Sequence, residues 1–181
     1  MAVPSPCKLL IFSSGLSVFF NSFTKFKTDS CCFFLSPGAG FLRLDKSYGV
    51  DNLKSGGNEK FQIGKSRVVN DGDDCTIFVT GGILEEAQLA AERLKGINIA
   101  TRIISMHTIK PLDKNAVIDA YNSTKIIVTL EEHTIYGGLG SAIAEVLVDN
   151  QLTGKKVLRI GLEEGFSSIV GSQKYLRKCY N

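Results

Sequence analysis

The residues of this chain best suited to chemistry are two adjacent glutamates and a histidine, Glu131-Glu132-His133. They follow an apolar, β-branched segment at residues 125–130, and open α/β sheets commonly place functional groups at the carboxyl end of a strand. Carboxylates beside an imidazole can perform acid–base chemistry or bind a metal ion. Neighbouring strand residues point to opposite faces, so we expect at most Glu131 and His133 to converge. His107, after another predicted strand, is a candidate for the same crevice.

A catalytic metal centre needs more ligands than this sequence offers. The chain has two histidines, and no third ligand stands near them in a spacing typical of metal sites. We therefore predict no metal ligands and no catalytic residues in this chain. Glu131 and His133 are interpreted as a structural hydrogen-bond network at a subunit contact.

A glycine-rich loop, Gly137-Gly138-Leu139-Gly140, lies between a predicted strand and a predicted helix. Dinucleotide-binding folds place phosphates at such helix N-termini. The G-x-G-x-x-G spacing fails, however, because the third glycine would fall at Ile143. The preferred interpretation is structural: Gly137, Gly138 and Gly140 allow a sharp turn and close helix packing, and they bind no cofactor.

A second phosphate-like motif, Gly64-Lys65-Ser66, matches the end of a Walker A sequence. The full motif needs a glycine five positions before its second glycine, where this chain has Glu59. The segment is predicted to form a turn, with the flanking apolar residues 61–63 and 67–69 forming a hairpin or an edge strand.

Strands and helices alternate along the rest of the chain. Continuously apolar segments predict strands at 76–80, 97–105, 125–130 and 157–160. Helical spacing of apolar residues predicts helices from Leu84 to a stop at Gly96, from a cap at Asp113 to about Tyr121, over 139–147, and over 173–179. Such alternation implies right-handed crossovers, and hence a three-layer α/β domain with a largely parallel sheet between helices.

The first 36 residues differ from the remainder. They contain seven of the 11 phenylalanines and contribute +2 to the net charge of +3, whereas the other 145 residues contribute only +1. A net charge of only +1 on these 145 residues disfavours nucleic-acid binding. The apolar run at 9–20 is too short to cross a bilayer and lacks a cleavage pattern. Residues 1–36 are interpreted as a targeting segment, a poorly specified extension, or one or two strands packed on the rest of the chain.

The five cysteines are odd in number and form no CxxC pair, which indicates free thiols in a reducing compartment and so a cytoplasmic protein. Residues 40–46 alternate apolar and polar side chains and predict an isolated strand, and 47–60 have the composition of a linker.

Three segments carry a resemblance to a known family: residues 58–65 (NEKFQIGK), residues 108–113 (TIKPLD), and Glu131-Glu132-His133 with residues 137–142 (GGLGSA). In this order and spacing they resemble the C-terminal domain of transketolases. The resemblance covers residues 58–181, with 37–57 similar to the last strand and linker of the preceding pyrimidine-binding domain. Residues 1–36 are then an atypical N-terminal extension.

The resemblance implies a Rossmann-like fold with five mostly parallel strands. Transketolases transfer a two-carbon ketol unit between sugar phosphates of pentose phosphate metabolism, using thiamine diphosphate and Mg²⁺ bound between the two other domains of paired subunits. The C-terminal domain does not touch the thiamine and is associated with dimer organisation. The one family position carried over is Lys46, where transketolases often have a phosphate-binding arginine.

The metal-binding GDG motif with its later Asn is absent, and Asp71-Gly72-Asp73 does not replace it. We therefore expect this chain to be a truncated or split transketolase subunit that is inactive without the thiamine-binding domains. Its expected partner is the set of thiamine-binding domains, or a second copy of the chain in a homodimer. The alternatives are a stand-alone binding or regulatory module, or a fragment of deoxyxylulose-phosphate synthase or of a 2-oxoacid dehydrogenase β subunit.

Overall fold

The computed structural model describes residues 62–165 and 168–180, preceded by three short strands. These are β1 (Leu10–Ser13), β2 (Leu16–Phe19) and β3 (Phe41–Arg43). β1 pairs antiparallel with β2 and parallel with β3. The strand predicted at 40–46 is therefore paired rather than isolated. Lys46 and the predicted linker lie outside the described residues.

A second unit begins at Ile63 and contains a five-stranded sheet. Its strands are β4 (Arg67–Asn70), β5 (Cys75–Val79), β6 (Thr101–Ser105), β7 (Ile126–Thr134) and β8 (Lys156–Leu162). Their order is β4-β6-β5-β7-β8, and only β4 runs antiparallel to its neighbour. The helices are α1 (Leu84–Lys95), α2 (Lys114–Ser123), α3 (Leu139–Asp149) and α4 (Gln173–Tyr180). This confirms the predicted α/β fold.

The helices form two layers, one on each face of the sheet. α1 packs on one face, where Ala87 and Ala91 meet Ile77, Val79 and Ile103. α2 and α3 pack on the other, where Val117 and Ile143 meet residues that include Phe78, Ile104 and Ile127. The alternation of buried side chains along β5 and β6 fills both cores, as expected for strands covered on two sides.

Two segments differ from their predictions. The strand predicted at 97–105 begins only at Thr101, because the chain first leaves α1 through a turn in which Asn98 has φ of 60°. The strand predicted at 125–130 continues to Thr134 and so includes Glu131, Glu132 and His133.

The hairpin predicted around residues 61–69 is not formed by the described residues. Ile63 and Gly64 lie in a turn, and β4 is an edge strand, the other structure that the sequence allows. The turn's polar groups are used within the chain: Gly64 N–H donates to Thr108 Oγ1 (2.9 Å), and Ser66 N–H donates to Asp113 Oδ2 (2.8 Å). The Walker-like residues thus form a turn that is hydrogen-bonded to Thr108 and Asp113 of the same chain.

Asp113 begins α2, as predicted. Its Oδ1 accepts the N–H of Ala116 (3.3 Å), while Oδ2 accepts from Ser66 N–H and Oγ. At the other end of α2, the Lys155 ammonium donates to the carbonyl oxygens of Tyr121 and Thr124. An acid at the N-terminus and a cation at the C-terminus both complement the helix dipole.

Within the described ranges, no helix is both long enough and apolar enough to cross a bilayer.

Cys75 and Cys179 carry free thiols, and burial raises the pKa of Cys75.

We predict that Asp113→Ala lowers the free energy of unfolding by about 1–2 kcal/mol, because it removes a helix cap and the acceptor that holds Ser66. Partial burial raises the pKa of Asp113, but the hydrogen bonds from Ser66 and Ala116 outweigh it, so the pKa is lowered overall. The contribution is therefore present above the ordinary pKa of an aspartate, about 4, and is lost as the pH falls through the lowered value.

Urea denaturation between pH 7 and pH 2.5 tests this prediction. Asp113→Asn is the matched control, since an asparagine can still cap the helix but does not titrate. The stability difference between the wild type and Asp113→Asn should shrink toward low pH. A difference that is constant across this range would contradict the assignment.

Candidate functional site

The centre of the candidate site is the carboxylate of Glu131, which lies at the N-terminus of α3. Glu131 is 2% exposed. Its Oε2 accepts the N–H of Leu139 (2.7 Å), and its Oε1 accepts the N–H of Gly140 (2.9 Å). Both oxygens thus bind amides of the first helical turn, where the helix dipole favours negative charge.

The glycines of the loop make room for this carboxylate. A Cβ on Gly138 would lie 1.9 Å from Glu131 Oε2, and one on Gly140 would lie 2.7 Å from Thr129 Oγ1. Gly137 has φ of +74°, a backbone conformation that favours glycine. Each of the three glycines is therefore required by the turn or by the close approach of β7. The path of the loop thus depends on steric contacts within the chain.

A bulge in β7 separates Glu131 from His133. Three β7 residues, 131–133, lie between the paired positions Leu130 and Thr134, whereas β8 has only Gly161 between Ile160 and Leu162. A Cβ on Gly161 would lie 2.8 Å from His133 O and 3.2 Å from Glu131 Cγ. The bulge thus fits because position 161 is glycine.

The bulge also changes where the predicted site residues point. His133 is exposed, and its Nδ1 lies 3.0 Å from the backbone oxygen of Thr134. Glu131 is buried against α3, so the convergence expected from strict alternation does not occur. His107 is half-buried after β6. In the described part of the chain, no three His, Cys, Asp or Glu side chains lie close enough to hold a metal ion.

The second feature of the site is Arg177 of α4, which lies where the chain topology reverses between β5 and β7. Its Nε donates to Glu132 Oε1 (2.7 Å), its Nη1 to Glu86 Oε1 (3.4 Å), and its Nη2 to Gly82 O (3.4 Å). The hydrogen bond with Glu132 holds the pKa of Arg177 above its ordinary value. One guanidinium therefore connects the last helix to β7 and to the start of α1.

Arg177 was not predicted from the sequence. Its partners lie 45 to 95 residues away along the chain, and its only sequence signal is a cation in the last turn of a short helix. A switch point in an open α/β sheet is a common place for a ligand. Here α4 and its arginine occupy it.

The arrangement is suited to holding the chain together rather than to binding a phosphate. An anion at the N-terminus of α3 would need the N–H groups of Leu139 and Gly140, and both already bind Glu131. A diphosphate such as that of thiamine diphosphate therefore does not fit this helix end. Lys46, the predicted phosphate-binding residue, lies outside the described residues.

We predict that Glu131→Gln lowers the free energy of unfolding by about 2–3 kcal/mol, because one amide of α3 would face the new NH₂ group while buried. Gly138→Ala should destabilise at least as much, since its Cβ would displace the carboxylate. Glu145→Gln, at an exposed position of α3, is the control and should change stability by less than about 0.5 kcal/mol. Equal urea midpoints for Glu131→Gln and Glu145→Gln would show that the cap is unimportant.

We also predict that Arg177→Ala loosens α4 while leaving the sheet intact. Amide hydrogen exchange in residues 173–180 should accelerate at least tenfold, because three contacts to β7, α1 and the preceding turn are lost. Lys178→Ala, at the exposed neighbouring position, should leave this exchange within twofold of the wild type. The assignment fails if the two variants exchange alike.

Comparison with known proteins extends these observations. Residues 64–171 match the family described as "Transketolase, C-terminal domain". A protein of Methanocaldococcus jannaschii described as a transketolase C-terminal section is 45% identical over 106 residues, which span 59% of this chain and 32% of that protein. The 6-deoxy-6-sulfo-D-fructose transketolase subunit SqwH of Clostridium sp. (strain MSTE9) is 39% identical over 68% of this chain and 37% of its own length.

Two further relatives broaden the comparison. The 1-deoxy-D-xylulose-5-phosphate synthase of Halothermothrix orenii is 41% identical over 58% of this chain and 16% of the synthase. A solved structure of a split gene transketolase, described as an inactive β4 tetramer, superposes with a TM-score of 0.62 and 33% identity. That superposition covers 67% of this chain and 39% of the solved chain.

The superposition agrees with the α/β fold described above. The chain spans about a third of the first two relatives, 32% and 37% of their lengths. The family match alone covers 108 of the 181 residues, from 64 to 171. The chain belongs to the transketolase family through its C-terminal domain.

Proposed function

We propose that this chain is the C-terminal part of a transketolase-type enzyme, as a split or truncated subunit that contributes assembly and dimer contacts rather than the thiamine site. The observation that carries this proposal is the filled N-terminus of α3, where Glu131 takes both amides that a phosphate would need. The complete enzyme would transfer ketol units between sugar phosphates, with thiamine diphosphate and Mg²⁺ bound by other domains.

The relatives support a multi-part enzyme. One is described as a C-terminal section, one as a subunit, and one as a split-gene protein. Each is longer than the segment that it shares with this chain. We infer that the partner of this chain is a set of thiamine-binding domains, with a homodimer as the second assembly to consider. Free thiols at Cys75 and Cys179 support a reducing, cytoplasmic setting.

A second candidate is the corresponding part of a deoxyxylulose-phosphate synthase. The 41% identity to the synthase of H. orenii favours it, because this value approaches the 45% found for the transketolase section. Both enzymes would use this domain in the same structural role. They differ in the product, so an assay of the assembled enzyme separates them.

The proposal is tested by reconstitution. We define the thiamine-binding chain as the pyrophosphate- and pyrimidine-binding domains encoded in the same genome, expressed as one polypeptide. This chain alone, with thiamine diphosphate, Mg²⁺, xylulose 5-phosphate and ribose 5-phosphate, should show no turnover. Addition of the thiamine-binding chain should produce turnover that depends on the concentration of both chains.

Three outcomes discriminate between the alternatives. Turnover by this chain alone would refute the assignment of the active site to other domains. With pyruvate and glyceraldehyde 3-phosphate as substrates instead, formation of 1-deoxy-D-xylulose 5-phosphate and CO2 in place of ketol transfer would favour the synthase. No association and no turnover with the thiamine-binding chain would favour a stand-alone binding or regulatory module.

A further inference from the structure

The connection between β4 and β5 contains a chemically labile pair of residues, Asp71-Gly72. It is the only Asp-Gly pair in the sequence, which has no Asn-Gly pair. The pair lies between Asn70 at the end of β4 and Cys75 at the start of β5, and the Asp71 side chain is 77% exposed. Glycine has no side chain that would keep its amide nitrogen away from the carboxyl group of the preceding aspartate. The pair is therefore suited to an intramolecular reaction.

The structure brings the two reacting groups together. The N–H of Gly72 donates to Oδ1 of Asp71 (3.0 Å), so this nitrogen lies beside the carboxyl group that it can attack. In the reaction, the nitrogen forms a bond to Cγ of Asp71. One carboxyl oxygen then leaves as water, with the hydroxyl proton and the proton lost by the nitrogen. The product is a succinimide ring within the main chain.

Solvent water opens this ring in one of two ways. Addition at Cγ restores the aspartate. Addition at the main-chain carbonyl carbon of Asp71 breaks the bond from that carbon to the Gly72 nitrogen, so that the chain now runs through Cβ and Cγ. The second product is isoaspartate, with one extra main-chain atom. Water is lost once and regained once, and no oxidant, reductant or enzyme is needed.

Arg102 of β6 opposes ring closure. Its Nε donates to the same Oδ1 of Asp71 (2.8 Å), and its Nη1 donates to Ser123 Oγ (2.8 Å). The Arg102 side chain is only 22% exposed and is thus held in place. The hydrogen bond from Arg102, followed by that from the Gly72 amide, lowers the pKa of Asp71. A neutral carboxyl group can lose water, whereas a carboxylate is a poor electrophile, so the ion pair disfavours the reactive form.

The packing of Gly72 determines what isomerisation would do to the sheet. A Cβ on Gly72 would lie 2.6 Å from backbone atoms of Ala100 and Thr101, so the main chain of Gly72 lies directly against the start of β6. Next to it, Asn70 pairs with Ile103, and its Nδ2 donates to Thr101 O (2.6 Å). An extra main-chain atom at position 71 would displace these contacts. β4, an edge strand of four residues, would then be held less firmly.

We propose that Asp71 is a site of spontaneous isomerisation to isoaspartate, and that the Arg102 ion pair slows this reaction in the folded chain. The product weakens the attachment of β4 to β6. This modification goes beyond the proposed function and does not depend on it, because it requires only the β4–β5 connection and β6.

The test ages the purified full chain in H₂¹⁸O at about pH 6, above the ordinary pKa of an aspartate. Residue 71 should acquire isoaspartate that carries a single heavy oxygen, because solvent water opens the ring. Mass spectrometry of digests detects the label, and endoproteinase Asp-N identifies isoaspartate by failing to cleave before it. Arg102→Gln should raise the rate about threefold or more, since the carboxyl group loses its cation.

Three variants serve as controls. Lys125→Gln breaks a matched surface ion pair, that of Lys125 Nζ with Asp74 Oδ1 (2.7 Å), whose aspartate precedes a cysteine. Ser123→Ala removes the other contact of Arg102. Both should isomerise at residue 71 within about twofold of the wild type, as expected for surface substitutions elsewhere. Asp71→Glu keeps the charge and should form no isoaspartate, because its longer side chain closes the ring far less readily.

The state of β4 is followed in the same samples. Amide hydrogen exchange in residues 67–70 should accelerate in the aged wild type and stay unchanged in aged Asp71→Glu. Circular dichroism and the urea midpoint confirm that Arg102→Gln remains folded during the incubation.

Two results would overturn the proposal. The first is an absence of isoaspartate at position 71, in the wild type and in Arg102→Gln, over the time in which a peptide of residues 67–76 converts. The second is an equal rate for Arg102→Gln and Lys125→Gln, which would show that the ion pair has no influence. If hydrogen exchange in residues 67–70 is unchanged after isomerisation, the predicted effect on β4 is wrong.

Discussion

The pairing of the Glu131 carboxylate with the first turn of α3 constrains a large part of this domain. Two buried amides and a buried carboxylate satisfy one another, and removal of either partner would leave the other without a hydrogen bond away from water. The carboxylate can reach the amides only if the backbone of the loop comes close, which requires glycine at 138. It also requires the bulge in β7, which in turn requires glycine at 161. Residues from three segments are thus fixed by one interaction.

The same interaction changes the interpretation of Glu131-Glu132-His133 and the glycine loop at 137–140, the part of the sequence best suited to chemistry. A carboxylate pair with an imidazole and a glycine loop at a strand–helix junction resembles a ligand site, yet the structure uses Glu131 and the loop within the chain. On the other side of the sheet, Arg177 fills the switch point between β5 and β7. Both places where an α/β domain commonly binds a ligand are occupied by the chain's own side chains. An assembly role in a transketolase-type enzyme accounts for this better than a separate active site.

Local signals were sufficient to predict the alternation of strands and helices and the cap at Asp113, and they allowed an edge strand at β4 as one of two alternatives. These depend on apolar periodicity and on residues within one helical turn, which a sequence shows directly. The bulge in β7 was not predictable, because it arises from a register shift against β8, and β8 lies more than 20 residues further along. Arg177 was missed for the same reason, since nothing near it in sequence indicates partners at Gly82, Glu86 and Glu132. The family resemblance was informative because it depends on the order of several segments rather than on any one of them.

The crossover helices cover the two faces of the sheet unevenly because of the strand order and the handedness of the crossovers. From β5 the chain crosses to β6 on one side, and from β6 it returns past β5 to β7 and then to β8 on the other side. Right-handed crossovers in opposite directions place their helices on opposite faces, so one helix lies on one face and two lie on the other. Within the residues that the structure describes, no crossover helix therefore lies on the α1 side of β8. Substitution of surface residues cannot supply one, because the deficit is topological. Leu158, Ile160 and Leu162 of β8 are accordingly 40%, 47% and 38% exposed, so this strand leaves apolar area in contact with water.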